Sequence, residues 1–319
     1  MHLTLHNGQS QEICIVIPTL NEEKTIYETI ITFPRQLFDK STHVLVIDGN
    51  STDETVRLAK RAGAQVILQK TRGKGIAIKE GMEAVMSEIY VFIDGDGTYL
   101  PTEVDLVVKP ILEDKADMVI GSRFKGEIEK DAMTWINRIG NKIFNFMVRR
   151  SIGAKITDML SGYRAIRGKC LDELVLLSRN FEIETEITLE SYMNAQRIME
   201  VPITYKKRTG TRSKLRPFRD GIKIFRSIIF FIMNSRPLFF FSIIASTFFL
   251  LGLYPAIYVL VEKITLGEIY HIPSVILSSL LFTSGALVLI FGLVAELVVT
   301  NRRRIEYGLK KMMRKGYIE

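Results

Sequence analysis

The sequence predicts an α/β domain, with a mostly parallel sheet flanked by helices, followed by two transmembrane helices. Three observations predict it. Short apolar runs at residues 12–18, 43–47, 65–69, 89–93 and 117–121 alternate with stretches of helical pattern, as parallel strands covered on both faces do. The residues just past four of these runs are polar or glycine-rich, and ligands collect at the carboxyl ends of such strands. Beyond residue 236 the chain becomes apolar for two stretches, each longer than the ~20 residues that cross a hydrocarbon layer.

The chain has 319 residues, 47% of them hydrophobic, and a positive mean hydropathy, which is high for a wholly soluble protein. The first twenty residues lack the pattern of a secretory signal, so the N-terminal part is expected to stay in the cytoplasm. Cys14 and Cys170 are the only cysteines, too few for a disulfide framework or a zinc site, and read as small core residues. The net charge of +8 is not spread as a nucleic-acid surface would be. Ten Lys or Arg lie between Lys206 and Arg236 and seven between Arg302 and Lys315, each cluster beside an apolar stretch. These charges flank a bilayer, and nucleic acid is not expected as a partner.

Along the chain, Thr19 or Asn21 can cap a first helix, Ser51 or Thr52 a second, and Thr102 with Glu103 a later one. Residues 131–150 form an amphipathic helix pattern with Trp135, Ile139, Ile143, Phe146 and Met147 near one face, suited equally to core packing or to membrane contact. Residues 217–234 are basic on one side and apolar on the other, as a helix lying among lipid headgroups is. The spans are 237–261 and 275–300. Their connector carries one basic residue, Lys263, whereas both outer flanks are basic, which places the N-terminal domain and the C-terminus in the cytoplasm. Glu296, near the cytoplasmic end of the second span, fits snorkelling or a contact inside the bundle better than ion transport. The expected organisation is a catalytic domain over 1–215, an interfacial helix over 216–236, the spans within 237–300 and a basic tail over 301–319.

Asp94-Gly95-Asp96 follows the fourth apolar run and offers two carboxylates at a strand end. Asp and Gly are also common turn formers. The neighbouring acidic turns favour the other reading, a divalent Mg2+ or Mn2+ held on hard oxygens beside donor phosphates. Asp48-Gly49-Asn50-Ser51-Thr52-Asp53 could meet a nucleotide's ribose or base, or simply form a turn and cap. Arg72-Gly73-Lys74-Gly75 suits a phosphate at a helix start. It lacks P-loop spacing, and no dinucleotide fingerprint follows the first strand.

The order of these pieces, Pro18-Thr19-Leu20-Asn21-Glu22, Asp48-Gly49-Asn50-Ser51-Thr52-Asp53, Gly73-Lys74-Gly75, Asp94-Gly95-Asp96, Gly121-Ser122-Arg123-Phe124 and Asp158-Met159-Leu160-Ser161-Gly162-Tyr163-Arg164, closely resembles the family 2 inverting glycosyltransferases. Within them it looks most like the dolichyl-phosphate (polyprenyl-phosphate) sugar synthases, over about residues 11–215. The resemblance implies a GT-A nucleotide-diphospho-sugar transferase fold. It implies that Pro18, Asn21, Glu22 and Asp48 contact the nucleoside with Lys74 near it, and that Asp94, Gly95 and Asp96 bind metal and diphosphate. Arg123, Asn137 and Arg138 would face the acceptor phosphate, and Ser161, Gly162 and Arg164 would close that pocket. Arg208 and Lys214, on a basic loop, would clamp the donor phosphates, with Asp96, Arg123 and Arg208 as the catalytic set. Two departures stand out. Gly210 falls one position early in that loop, and Thr98 stands where some relatives carry a metal-binding Gln.

The resemblance implies hexose transfer from a nucleotide sugar, UDP-glucose or UDP-N-acetylglucosamine before GDP-mannose, to a polyprenyl phosphate. The protein would be a multi-pass cell-membrane enzyme, with membrane lipids as partners and homo-oligomerisation left open. Glu182 and Glu184 could serve as base or order the pocket. An acceptor phosphate with a second pKa of about 6 is already an anion, which favours ordering. A processive polysaccharide synthase is the rival enzyme, but its Gln-x-x-Arg-Trp motif is missing: the lone tryptophan, Trp135, lies elsewhere. A non-catalytic membrane protein that binds nucleotide or lipid phosphate is the rival from another class, and Asp94, Asp96, Arg123 and Arg208 together argue against it.

Overall fold

The computed structural model describes residues 11–153, 156–209 and 217–314. Their elements run in the order β1 (Gln11–Thr19), α1 (Ile26–Ile31), β2 (Gln36–Leu37), β3 (Lys40–Asp48), α2 (Thr55–Arg61), β4 (Gln65–Leu68), α3 (Lys74–Ala84), β5 (Ser87–Phe92), α4 (Val104–Leu112), β6 (Met118–Ser122) and α5 (Trp135–Ile152). Then come β7 (Arg164–Arg167), α6 (Gly168–Leu171), α7 (Ile183–Met193), β8 (Ile198–Pro202), α8 (Pro217–Ser235), α9 (Pro237–Leu266) and α10 (Ile272–Arg314). Two compact units divide the chain, one ending at Ile228 and the other beginning at Ile229. The division falls inside α8.

The first unit is an eight-stranded mixed sheet ordered β2-β3-β1-β5-β7-β6-β8, with β4 also paired to β3. The five expected strands are present. Their pairings β3–β1, β1–β5 and β3–β4 are parallel, while β7 inserts antiparallel between β5 and β6. Because side chains alternate across a strand, Ile13, Ile15 and Ile17 of β1 join Ile89 and Val91 of β5 and the inner residues of α1 and α4 in one core layer. On the opposite face α3 packs so closely that a Cβ at Gly81 would lie 2.8 Å from Val16. Each fully buried Ile or Val contributes ~1.5–3 kcal/mol. This core fixes the sheet, and the sheet fixes where its polar loops emerge.

The helix caps differ from expectation. Thr25 and Glu54 stand at the N-termini of α1 and α2 without side-chain capping bonds. Asn21 and Ser51 are used instead to cross-link two loops: Asn21 N–H donates to Ser51 Oγ at 2.8 Å, and Thr52 N–H to Asn21 Oδ1 at 2.8 Å. Glu103, expected near a cap, accepts from Thr204 N–H and Oγ1. Pairing loops to one another positions the site, which a cap would not do.

Helix α5 resolves the two uses its pattern allowed. Trp135, Ile139, Ile143 and Phe146 are exposed, whereas Asn141, Asn145 and Val148 face inward. Asn145 donates to Thr157 O and accepts from Met159 N–H at 3.2 Å. Two asparagines are turned to the protein and most of the apolar stripe outward, so core packing is not what Trp135, Ile139, Ile143 and Phe146 do.

In the second unit, α9 and α10 are long and apolar enough to cross a membrane, and only 17% of the most apolar stretch of each is buried. A core helix of a soluble domain would be mostly buried. Membrane association follows from the apolar surface these helices expose. Both outrun the expected spans: α9 reaches Leu266, and α10 continues to Arg314 through the segment expected as a separate tail. The link shrinks to residues 267–271, where Gly267 adopts φ +79°, a left-handed cap that terminates α9. Glu262 closes it by accepting from His271 N–H. Glu296 makes the expected bundle contact, accepting from Leu238 N–H at 3.2 Å in the first turn of α9.

Candidate active site

The carboxyl ends of β1, β3 and β5 bring Thr19, Asp48 and the Asp94–Asp96 turn to one edge of the sheet. The turn is tight because glycine permits it. A Cβ at Gly95 would lie 3.0 Å from Thr19 Cγ2, and Gly97 adopts φ +74°. Thr25 Oγ1 donates to Gly95 O at 2.7 Å. Thr98 aims the Asp96 carboxylate: its N–H and hydroxyl donate to Asp96 Oδ1 at 3.1 and 2.6 Å.

Two cations complete the cluster. Lys74, at the start of α3, contacts Asp94 and lies 2.5 Å from Glu184 Oε1 of α7. Arg208 lies 2.9 Å from Asp96 and 2.5 Å from Glu22. It arrives there because Tyr205 bridges to Tyr99, and Lys206 N–H donates to Thr98 O at 2.8 Å, laying residues 205–208 beside the turn. Burial alone would lower the Lys74 pKa, but Asp94 and Glu184 reverse this and raise it above the usual lysine value. Burial, reinforced by the negative charge of Asp94, raises the pKa of Asp96, and Arg208 opposes that rise.

Several expected ligands turn out to be part of the framework. Asp48 is fully buried, and its oxygens accept from Thr19 Oγ1 at 3.0 Å and from Ser51 N–H and Oγ at 2.7 and 2.5 Å. These bonds shape the loop from within. The start of α3 is not an open phosphate cradle, because Gly75 N–H already donates to Arg179 O at 3.0 Å. Gly73 and Gly75 are needed there for contact, since a Cβ on either would run into the backbone of Ser178 and Arg179. Arg123 is 7% exposed and grips Asp158 with Nε at 2.8 Å and Nη2 at 2.7 Å, its guanidinium 5.2 Å from the Tyr205 ring. Nε and Nη2 of its fork are taken up by Asp158. Arg164 is likewise buried, donating to Glu184 O, Thr188 Oγ1, Met159 O and Ser161 O. Ser161 is fully buried too. These residues hold the segment they were expected to close the pocket with, and they do so from inside.

Pro18, Asn21 and Glu22 sit where β1 ends, Pro18 and Asn21 half-buried and Glu22 buried. Asn137 and Arg138 lie in the first turn of α5, Arg138 exposed, and no hydrogen bond or ion pair among the described residues joins them to the aspartates. Lys214 lies outside the described residues. Two participants carried no assignment from sequence. Glu200 accepts from the N–H groups of Thr157 and Asp158 at 2.8 Å each and pairs with Lys125 at 3.1 Å, steadying the partner of Arg123. Tyr99 donates no sequence signal of its own, yet its hydroxyl accepts from Gly162 N–H at 2.9 Å.

The donor set can be tested for a metal. Among the described residues no group of three or more His, Cys, Asp or Glu side chains is arranged to hold one. Asp94 and Asp96 offer hard carboxylate oxygens at a half-open site, their side chains 26% and 13% exposed. That set suits Mg2+ or Mn2+, which commonly take one or two carboxylates and complete their shell with phosphate oxygens and water. The residues fit such an ion when a diphosphate arrives with it.

Residues 14–175 match the family described as Glycosyl transferase family 2. Among curated relatives, glycosyltransferase AglJ of Haloferax volcanii is 36% identical over 91% of this chain and 95% of its own length. A dolichyl-phosphate hexose transferase of the same organism is 32% identical over 68% of this chain and 92% of its own. Among solved structures, glucosyl-3-phosphoglycerate synthase from Mycobacterium tuberculosis, in complex with Mn2+, UDP and glucosyl-3-phosphoglycerate, superposes with a TM-score of 0.56 at 22% identity, covering 70% of this chain and 79% of that one. At that identity the likeness speaks to fold, and it agrees with the GT-A architecture expected from sequence. Family match, near full-length relatives and sheet topology converge: the chain is a glycosyltransferase and belongs to glycosyl transferase family 2.

Proposed function

We propose that the enzyme transfers a hexose from a nucleotide sugar, with UDP-glucose or UDP-N-acetylglucosamine ahead of GDP-mannose, to a polyprenyl phosphate in the membrane, inverting the anomeric centre. The observation that carries this reading is the presence in one chain of the Asp94–Asp96 turn framed by Lys74 and Arg208 and of two helices built for lipid. The dolichyl-phosphate hexose transferase relative supports the acceptor class. The basic flanks of α9 and α10 support a cytoplasmic catalytic domain at the cell membrane.

Asp94 and Asp96 would hold a divalent metal, which supplies Lewis-acid stabilisation of the departing nucleoside diphosphate. Arg208 adds positive charge beside the same leaving group, a preorganised electrostatic contribution of the kind that often dominates catalysis. Asn21 and Glu22, at the loops that Ser51 and Thr52 tie together, face the nucleoside side. The acceptor phosphate is already an anion at neutral pH, so no side chain has to remove a proton. Arg138, exposed on the helix that carries the outward apolar stripe, is the cation we assign to meet that phosphate at the lipid surface, with Asn137 beside it. Helix α8 is read as an interfacial helix with the same lipid preference.

The test is the full chain in detergent with labelled UDP-glucose, UDP-N-acetylglucosamine and GDP-mannose, dolichyl phosphate, and either Mn2+ or EDTA. Label should move to lipid with one donor and stop with EDTA. Asp96→Asn should cut transfer by about a thousandfold or more while the thermal unfolding midpoint holds; a variant with unimpaired turnover rules the assignment out.

A further inference from the structure

Each aspartate of the pair is held in the same way, by a cation it shares with a glutamate. Lys74 joins Asp94 to Glu184, and Arg208 joins Asp96 to Glu22. Within this group four carboxylates face two cations.

The resident cations occupy the carboxylates that a metal would take. Lys74 contacts Oδ1 of Asp94, so a metal drawing on the same carboxylate weakens that pairing, and a buried ammonium short of an anion is costly. Glu184 provides the alternative. Its side chain is 6% exposed, and while Oε1 holds Lys74, Oε2 is buried with no hydrogen-bond partner. Spare acceptor capacity therefore lies on a residue that Lys74 already contacts. Other directions are closed: a Cβ at Gly162 would sit 3.2 Å from Lys74 Nζ and 2.7 Å from Asp94 Oδ2, and the Phe181 ring centre lies 5.7 Å from the ammonium.

We propose that Glu184 is a positioning residue for metal binding: it keeps Lys74 neutralised when the ion takes Asp94, as Glu22 keeps Arg208 beside Asp96. This rests on the reading of Asp94 and Asp96 as the metal-binding pair. Without the Glu184 carboxylate, Asp94 becomes the only ion-pair partner of Lys74 among the described residues, and a metal has to compete with the ammonium for that one carboxylate. The general range for losing a group behind a ligand, about 10–100-fold in metal affinity, applies.

The experiment titrates Mn2+ into the full chain in detergent and follows the free-ion electron paramagnetic resonance signal, with UDP or GDP present, alongside thermal unfolding. Wild type should take up Mn2+, and Asp94→Asn should lose it. Glu184→Gln should weaken uptake by about tenfold or more, and Glu184→Asp, which keeps the charge, should recover most of it. The decisive arm is Lys74→Met in the Glu184→Gln background, which should restore wild-type affinity because no ammonium is left to displace; a merely structural glutamate predicts no such rescue. If wild type binds and Asp94→Asn does not, yet Glu184→Gln binds Mn2+ normally or the double variant stays as weak as the single, the positioning role is wrong and the metal reading stands. If wild type binds no Mn2+ with either nucleotide, both fall.

Discussion

Arg123 and Asp158 form a bidentate pair whose side chains are 9% and 0% exposed, and such a pair is far costlier to break than a surface one. Burial on its own would lower the Arg123 pKa, and Asp158 drives it well above the usual arginine value. The charge is therefore fixed across all working pH, and the fork orients rather than titrates. Replacing Arg123 with Met leaves the Asp158 carboxylate buried and short of donors, with an expected loss of ~3–5 kcal/mol. The double change Arg123→Met with Asp158→Leu should recover much of that loss, since neither charge then remains buried. Urea unfolding of the full chain in detergent measures both. Equal destabilisation in the single and double variants would mean that Tyr205 packing, and not the charge pair, is what Arg123 supports.

At the scale of elements, what the sequence revealed and what it hid follow from the same physics. The strands β1, β3, β5 and β6 were legible because burial on both faces demands continuous apolar runs, and the more exposed β4 because Val66, Ile67 and Leu68 form such a run even at the edge. Strand β7 was hidden: two of its four residues are arginines, and Arg164 is buried only because backbone carbonyls satisfy its guanidinium. Strand β8 was hidden for another reason, as an edge strand of mixed polarity that ends in Pro202. The Asp94–Asp96 turn was legible from its place after a strand. Glu184 was legible as a pocket residue but its partner Lys74 was not, and Glu200 was hidden altogether, because an acidic residue carries no mark of the cation or N–H group that tertiary structure will bring to it. Gly73 and Gly75 were misread as a phosphate cradle since their true neighbour, the backbone of Arg179, is more than a hundred residues away in sequence. In the membrane pair the glycines do follow a local rule, small residues where helices approach closely. A Cβ at Gly292 would lie 2.8 Å from Phe241 Cβ, and one at Gly285 would lie 3.0 Å from the Phe249 ring. Gly292→Val should therefore destabilise the α9–α10 pair by about 1–3 kcal/mol. Gly140→Ala in α5, where nothing lies within 4 Å, should instead stabilise by about 1 kcal/mol. Thermal unfolding in detergent compares the two, and a Gly292→Val midpoint equal to wild type would refute the packing argument.

For the molecule as a whole, the proposed reaction joins a water-soluble donor to an acceptor confined to a bilayer, and the chain exposes two kinds of apolar surface. Helices α9 and α10 supply a permanent anchor, because about 20 apolar residues in a helix partition into hydrocarbon essentially irreversibly. The stripe of Trp135, Ile139, Ile143 and Phe146 is too small to anchor anything by itself. It does not have to, since tethering makes the second contact intramolecular and a weak surface suffices at high effective concentration. Arg138, Lys142 and Arg149, all exposed on the same helix, add attraction to anionic headgroups. If the stripe seats the helix that carries Arg138 against lipid, replacing Trp135 and Phe146 together with Ser should leave the chain membrane-bound. It should also raise the apparent KM for dolichyl phosphate in vesicles by something on the order of tenfold, in proportion to the apolar area withdrawn from the interface. The effect should shrink with a short-chain polyprenyl phosphate in free solution, where no interface has to be reached. A KM that rises equally for both acceptors would mean that these residues touch the acceptor chain itself, and an unchanged vesicle KM would remove α5 from the lipid surface altogether.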